Sequence, residues 1–307
     1  MSKIAIIGAG FVGSTAAYAL FIENTCEEIA LIDVNKEKAE GEAMDLEQGM
    51  MFRPETRFEY GDSYELCKGA DIVVITAGLA QKKGETRLEL VKKNAKIFRE
   101  MIPKIVENNK KCVIVLVTNP VDIMTYLTLR YSGFPKERVF GTGTTLDTAR
   151  LRYFIAEKYK VSPQSVHANM MGEHGDYEFP VWSRATVGGL NINEFDEYSE
   201  AMLEEIHKKT KNAAYEIINR KGATYYAIGL VIAQICDAIL SDEKRVFPIS
   251  TYLENYYDES NVCLSIPCAI GKAGICRRFQ LPLNEKEQQQ LHASAKVLKE
   301  IIAGLED

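Results

Sequence analysis

The chain has 307 residues, 46% of them hydrophobic and 26% charged, and a formal net charge of −6. That length supports a large core shared between two lobes, in the composition of a water-soluble globular protein. The acidic balance, with no basic cluster longer than Lys82–Lys83 or Arg277–Arg278, argues against a phosphate-tracking surface, so no nucleic-acid partner is expected.

Seven cysteines, an odd number without CxxC pairs, read as reduced thiols of a cytoplasmic protein. Cys112, in an apolar run, reads as a small buried hydrophobe. No Cys/His set has zinc spacing, so no metal is expected. The uncharged run Ile4–Ile22 follows Lys3 and resembles a signal peptide or membrane span in length. Its three glycines, Ser14 and Thr15 make it weakly hydrophobic, and no small-residue cleavage site precedes Glu27–Glu28. Neither export nor a membrane association is expected.

Lys3–Ile7 is a β-branched apolar run, and it leads straight into Gly8-Ala9-Gly10-Phe11-Val12-Gly13. The helical pattern Ser14–Ile22 follows, then a second buried strand, Glu28–Asp33, which ends in an acid 20 residues beyond Gly13. This is a dinucleotide fingerprint in its strand–turn–helix–strand setting. Gly8 permits the tight turn, Gly10 lets the backbone approach a pyrophosphate, and Gly13 lets helix and strand pack closely. The helix N-terminus offers free N–H groups to phosphate. Asp33 suits an adenosine ribose and would repel a 2′-phosphate, which favours NAD over NADP.

Asn35–Met51 reads as a helix, polar on one side. Ala70–Thr76 and Cys112–Val117 read as buried strands, the second ending in Thr118-Asn119-Pro120, with Asn119 as a helix cap. Arg138–Phe140 reads as a short strand. Strands alternating with helices predict an α/β fold, a doubly wound parallel Rossmann sheet over residues 1–142. Ligands of such sheets lie beyond the carboxyl ends of the strands, where Gly8, Asp33, Gly78 and Asn119 all fall. The polar segment Leu79–Arg87 precedes a long amphipathic helix, about Leu88–Asn108, and suits a lid over the site.

Beyond residue 143 the pattern changes to a mixed α+β substrate domain, 143–307. Thr145–Tyr159 reads as a helix. Asp147 and Arg150, three apart, share a face, while Arg152 is turned about 200° from Arg150. Val166–Met171 and Phe179–Leu190 read as strands. His167 and His174 are seven apart, so they would point to opposite faces if the strand ran on. Helical patterns follow at about Asp196–Lys221 and Ala223–Leu240. Arg245–Leu253, Asn261–Ile270 and Ile275–Phe279 read as strands, with a hairpin turn at Gly271–Gly274. Asn284 and Glu287 read as a capping pair for a last helix that carries Leu291, Leu298, Ile301 and Ile302 on one stripe.

The segment Glu173-His174-Gly175-Asp176 supplies the chemistry. A histidine exchanges protons near neutral pH, a carboxylate such as Asp147 can steady its charged form, and Arg150 can grip a substrate carboxylate bidentately.

Together these motifs resemble the L-lactate dehydrogenase family over essentially the whole chain. The matching stretches are Gly8–Gly13, Ile72–Gly78, Gln81–Leu90, Val117–Asp122, Leu146–Arg152, His167–Pro180 and Ala223–Leu230. The Gln81 loop and the Arg152/His167 pair resemble its bacterial branch. The resemblance implies reversible NAD-dependent hydride transfer between L-lactate and pyruvate, with His174 as proton donor and acceptor and Asp147 orienting it. Arg150 would bind the substrate carboxylate, and Arg87 would polarise the ketone. Gln81, Asn119 and Thr224 would help seat the substrate.

The cofactor set it implies is Gly8, Gly10, Val12, Gly13, Asp33 and Lys38, continued by Tyr64, Ala77, Gly78, Val117, Asn119 and Thr142. Arg152 and His167 match positions that bind fructose 1,6-bisphosphate across a subunit interface in many bacterial relatives, which implies a homotetramer activated by that sugar. Related malate dehydrogenases usually place an arginine where Gln81 stands, and many relatives have proline where Lys83 stands. A malate dehydrogenase or another 2-hydroxyacid dehydrogenase of the same fold is one alternative reading. A non-catalytic NAD-binding redox sensor is the other, and it would need neither His174 nor Arg150.

Overall fold

The computed structural model describes residues 2–53, 55–79 and 87–306. The chain opens with β1 (Lys3–Ile7), α1 (Phe11–Glu23), β2 (Glu28–Ile32), α2 (Lys36–Glu47), β3 (Arg57–Gly61), β4 (Ile72–Ile75), α3 (Arg87–Asn108), β5 (Val113–Leu116), α4 (Val121–Ser132) and β6 (Val139–Gly141). These six strands lie parallel in the order β3-β2-β1-β4-β5-β6. Every residue of β1, β2, β4 and β5 is buried, as befits strands covered by helices on both faces. Two of those residues are charged, and they satisfy one another. Lys3 meets Glu28 at 2.6 Å and Glu59 at 2.7 Å, which ties β1, β2 and β3 together.

The edge strand β3 had no counterpart among the expected strands. It carries Arg57 and Glu59, paired at 2.7 Å, and buries Phe58 and Gly61 alone among its residues. A polar edge strand lacks the apolar run that makes central strands visible.

The second half contains α5 (Thr145–Tyr159), β7 (Val166–His167), β8 (Met170–Gly172), β9 (Glu178–Pro180), β10 (Thr186–Val187), β11 (Leu190–Asn191), α6 (Glu200–Lys221), α7 (Tyr226–Leu240), β12 (Arg245–Tyr252), β13 (Cys263–Gly271), β14 (Gly274–Arg278) and α8 (Glu285–Glu306). β12 joins β6 antiparallel and carries the sheet on through β13, β8 and β9, with β14 also on β13. The β7, β10 and β11 strands form a small sheet of their own. A separate apolar cluster beside it gathers Leu151 and Ile155 of α5 with Val166, Met170 and Ile206.

Several expectations for this half need correction. Val166–Met171 is not one strand. Arg152 Nε donates to the Ala168 carbonyl at 2.9 Å, and the Thr148 hydroxyl accepts from the Met170 N–H at 2.8 Å. Side chains of α5 thus take over backbone groups that a ladder would need, and the chain crosses from the small sheet to the large one. The alternation argument for His167 and His174 is lost with it.

Phe179–Leu190 is likewise broken, into β9, a helical turn at Trp182–Arg184, β10 and β11. Glu287 holds that turn by accepting from the Ser183 N–H and hydroxyl at 3.0 and 2.7 Å. α6 begins at Glu200 because the Ser199 side chain caps it, and it ends at Gly222, whose φ is +85°. Thr224 is therefore in a break between helices. Asn119 is not a cap either: Pro120 is extended and α4 starts at Val121. The Asn284–Glu287 pair caps α8 in both directions, at 3.0 and 2.9 Å.

Candidate active site

At the carboxyl end of β1 the chain turns at Gly8, with φ of +106°, and Gly10 then stands at the N-cap of α1. A Cβ on Gly13 would lie 1.8 Å from the Gly8 carbonyl oxygen, so helix and turn pack as closely as backbone allows. A Cβ on Gly10 would meet nothing within 4 Å. The open side of the turn is thus where a diphosphate fits, beside the free N–H groups of α1.

Asp33 follows β2. Its two carboxylate oxygens accept from the Ala9 N–H at 2.7 Å and the Asn35 N–H at 2.9 Å, and each has a lone pair left for a sugar hydroxyl. Val12 and Lys38 lie in the first turns of α1 and α2, and Tyr64 opens the short helix after β3. Ala77, Gly78, Val117 and Thr142 continue β4, β5 and β6. The Thr118 hydroxyl donates to the Ala77 carbonyl at 2.7 Å, and the Thr142 N–H donates to Leu116 at 2.8 Å. All these residues meet one edge of the parallel sheet.

Beyond that edge is a cavity of about 290 Å³ lined by Asn119, Asp147, Arg150, His174, Lys211 and Tyr215, among others. α5 presents Asp147 and Arg150 on one face, as their spacing requires. Asp147 Oδ1 accepts from Arg150 at 2.9 Å, and Oδ2 lies 2.7 Å from His174 Nδ1. Burial alone would push the His174 pKa down. The charge and hydrogen bond of Asp147 outweigh it and raise it to about 9. Asp147 itself is buried, which opposes ionisation, yet His174 and Arg150 hold its carboxyl below the ordinary aspartate value. The His174 side chain keeps 26% of its surface open, so one face of a charged imidazole meets the cavity.

Some residues of the site gave no sign of it in the sequence. Asp122, in the first turn of α4, accepts from the His174 N–H at 2.8 Å and from the Ser250 hydroxyl at 2.6 Å. Burial raises its pKa to about 6. Glu178 on β9 is buried beside Asp147 and His174. Lys211 of α6 reaches the Asp176 carbonyl at 3.0 Å. Each belongs to an element remote in sequence from Asp147, and only Asp122 and Glu178 fall in motif stretches at all.

Others lie elsewhere. Thr224, half-buried before α7, is not among the residues lining the cavity. Arg152 faces away from Arg150 and against Ala168, next to His167, which is exposed. Gln81, Lys82 and Lys83 lie outside the described residues, as does the side chain of Arg87, where α3 begins.

Residues 2–141 match the lactate/malate dehydrogenase NAD binding domain, and residues 144–307 match the lactate/malate dehydrogenase alpha/beta C-terminal domain. The chain belongs to the lactate/malate dehydrogenase family. NAD is the cofactor that this family's N-terminal domain binds, and the glycine turn and Asp33 fit it. The chain is 49% identical to an L-lactate dehydrogenase from Clostridium botulinum, over 97% of this chain and 95% of that one. It is 47% identical to an L-lactate dehydrogenase from Acetivibrio thermocellus, over 100% and 98%. Among solved structures, a minor L-lactate dehydrogenase from Enterococcus mundtii superimposes with a TM-score of 0.96 at 44% identity, covering 99% of this chain and 98% of that one.

Proposed function

We propose that this family member is a cytoplasmic L-lactate dehydrogenase, interconverting L-lactate and pyruvate in the fermentative direction or its reverse, with His174 as the proton donor and acceptor. The observation that carries the mechanism is the 2.7 Å contact of His174 with a buried Asp147 that Arg150 also holds. NAD, when bound, supplies the hydride donor or acceptor.

The chain's own groups do the rest. The Arg150 guanidinium, on the cavity wall, binds the substrate carboxylate, and Asn119 lines the same space. The imidazolium gives its proton to the ketone oxygen of pyruvate, and the neutral ring takes the hydroxyl proton of lactate. By the family resemblance, Arg87 is assigned to polarise the ketone and Gln81 to help seat the substrate; Thr224 carries the same assignment although it is outside the cavity lining. The division into domains 1–142 and 143–307 is supported by the change of element there, β6 ending at Gly141 and α5 starting at Thr145. An NADH oxidation assay across a panel of 2-oxo acids tests the reading. Pyruvate should be the best substrate, and a preference for oxaloacetate would favour a malate dehydrogenase instead.

The pH dependence follows from His174. Its charged form is present below about 9 and lost above it. For pyruvate, kcat/KM should be flat below that value and fall by about tenfold per unit beyond it, since one proton is delivered. For lactate, which needs the neutral ring, kcat/KM should climb towards the same value. Stopped initial rates over a pH series in both directions check this; parallel profiles would sink it.

The effector reading rests on the other face of α5. Arg152 donates to the Ala168 carbonyl, one residue along the chain from the exposed His167, and Arg245 is near enough for its charge to add to the effect of burial in lowering the Arg152 pKa. Two guanidiniums and an imidazole suit a sugar phosphate. Met51, Phe52, Tyr226 and Leu230 are large apolar residues left exposed, which suits burial between copies in a homotetramer. Fructose 1,6-bisphosphate is expected to activate, moving pyruvate saturation to lower concentrations, more so at lower pH. Superimposed curves with and without the sugar at two pH values would remove this part of the reading. The cytoplasmic assignment is supported by seven free cysteines, and no described helix is long and apolar enough to cross a membrane.

A further inference from the structure

Glu178 has no part in the relay described above, yet it lies inside it. It pairs across from Gly172 in the sheet and is only 6% exposed. Its Oε2 is buried with no hydrogen-bond partner. Polar atoms of Glu178, Asp147 and His174 all come within 4.8 Å of one another. Two buried carboxylates this close oppose each other's ionisation.

Asp147 is the one equipped to keep its charge, since Arg150 and His174 each hold one of its oxygens. Glu178 has no such pair of donors. From α6, Lys211 is engaged with Asp176, Tyr215 lines the cavity, and His207 lies against the Glu178 backbone with its own charge disfavoured by burial. Asp122 lies near His174 and adds further negative charge. Burial first, and then the Asp147 charge, push the Glu178 carboxyl well above the usual glutamate range, against the weaker pull of His174 and Arg150.

We propose that Glu178 is a neutral carboxylic acid in the working protein and donates a hydrogen bond from Oε2 to the Asp147 carboxylate, making it a positioning residue for the Asp147–His174 couple. The orphaned oxygen then has a partner, and Asp147 has a third donor in place. An ionised Glu178 would add a further buried negative charge beside Asp147 and Asp122, which the substrate carboxylate would then have to meet.

This rests on the proton-relay reading of His174, but the decisive test does not need turnover. An infrared difference spectrum between wild type and Glu178→Gln at neutral pH should contain the C=O stretch of a protonated carboxyl; its absence overturns the proposal. Glu178→Leu serves for the same spectrum if the glutamine variant does not fold. The second readout is the alkaline limb of kcat/KM for pyruvate. Removing a real anion beside His174 would lower the apparent pKa there by about one unit or more. Removing a neutral group leaves it in place, and that is the expected result for Glu178→Gln. Glu178→Leu, which has no donor, should lose about tenfold in kcat/KM, and Glu178→Gln should retain most of it. Equal loss in both would count against the hydrogen bond. Full activity of a His174 variant would sink the relay while leaving the infrared result intact.

Discussion

Replacing His174 by alanine is expected to lower kcat for pyruvate reduction by about a thousandfold, within the range that a positioned acid–base group contributes. The fold should survive, because the groups left behind remain satisfied. Asp147 keeps its Arg150 partner at 2.9 Å, and Asp122 keeps the backbone N–H of residue 174 and the Ser250 hydroxyl. Affinity for NADH should also persist, since the glycine turn and Asp33 are at the other end of the site. The measurement is therefore a pair: kcat with pyruvate, and NADH binding by fluorescence. Loss of both would mean that the variant is misfolded, and the thermal unfolding midpoint would reveal it. Full turnover with intact binding would remove His174 from the chemistry. Asp147→Asn should give an intermediate loss and move the alkaline limb to lower pH, because the charge that lifts His174 to about 9 is gone.

Gln81→Arg is expected to move kcat/KM strongly from pyruvate towards oxaloacetate. Oxaloacetate carries a second carboxylate where pyruvate has a methyl group. With glutamine at the position proposed to meet this end of the substrate, that charge enters a closed site without a partner, a penalty of about 2–5 kcal/mol, or roughly 30- to several-thousandfold. An arginine supplies the partner and makes the methyl a poor match. The ratio of the two kcat/KM values should therefore change by about that factor. An unchanged ratio would mean that the specificity lies elsewhere, with Lys82 and Lys83 the cations next in sequence. Both pyruvate and oxaloacetate should still depend on Arg150, which is proposed to grip the carboxylate they share.

Local patterns carried much of this reading. The parallel half was legible because fully buried strands leave apolar runs and the glycine turn has fixed spacing. α5 was legible over Thr145–Tyr159, and with it the shared face of Asp147 and Arg150. The second half was harder, because side chains there do work that a ladder or helix end does elsewhere. Thr148 and Arg152 split the expected strand at residues 168–170. Glu287 holds the turn that interrupts the next one. Such contacts join residues far apart in the chain, and periodicity does not register them.

The sequence by itself determined which residues could do chemistry: the Gly8–Gly13 turn with Asp33, and the Asp147, Arg150 and His174 set. It could do so because turn geometry, helical spacing and side-chain chemistry are local properties. Only the tertiary structure decided how those groups are charged. His174 is lifted to about 9 and Asp122 to about 6, and Glu178 is set against Asp147, because α4, α5, β9 and the 173–176 segment converge in a buried space. Desolvation and Coulomb interaction depend on distance and burial, and neither is written in the order of the residues.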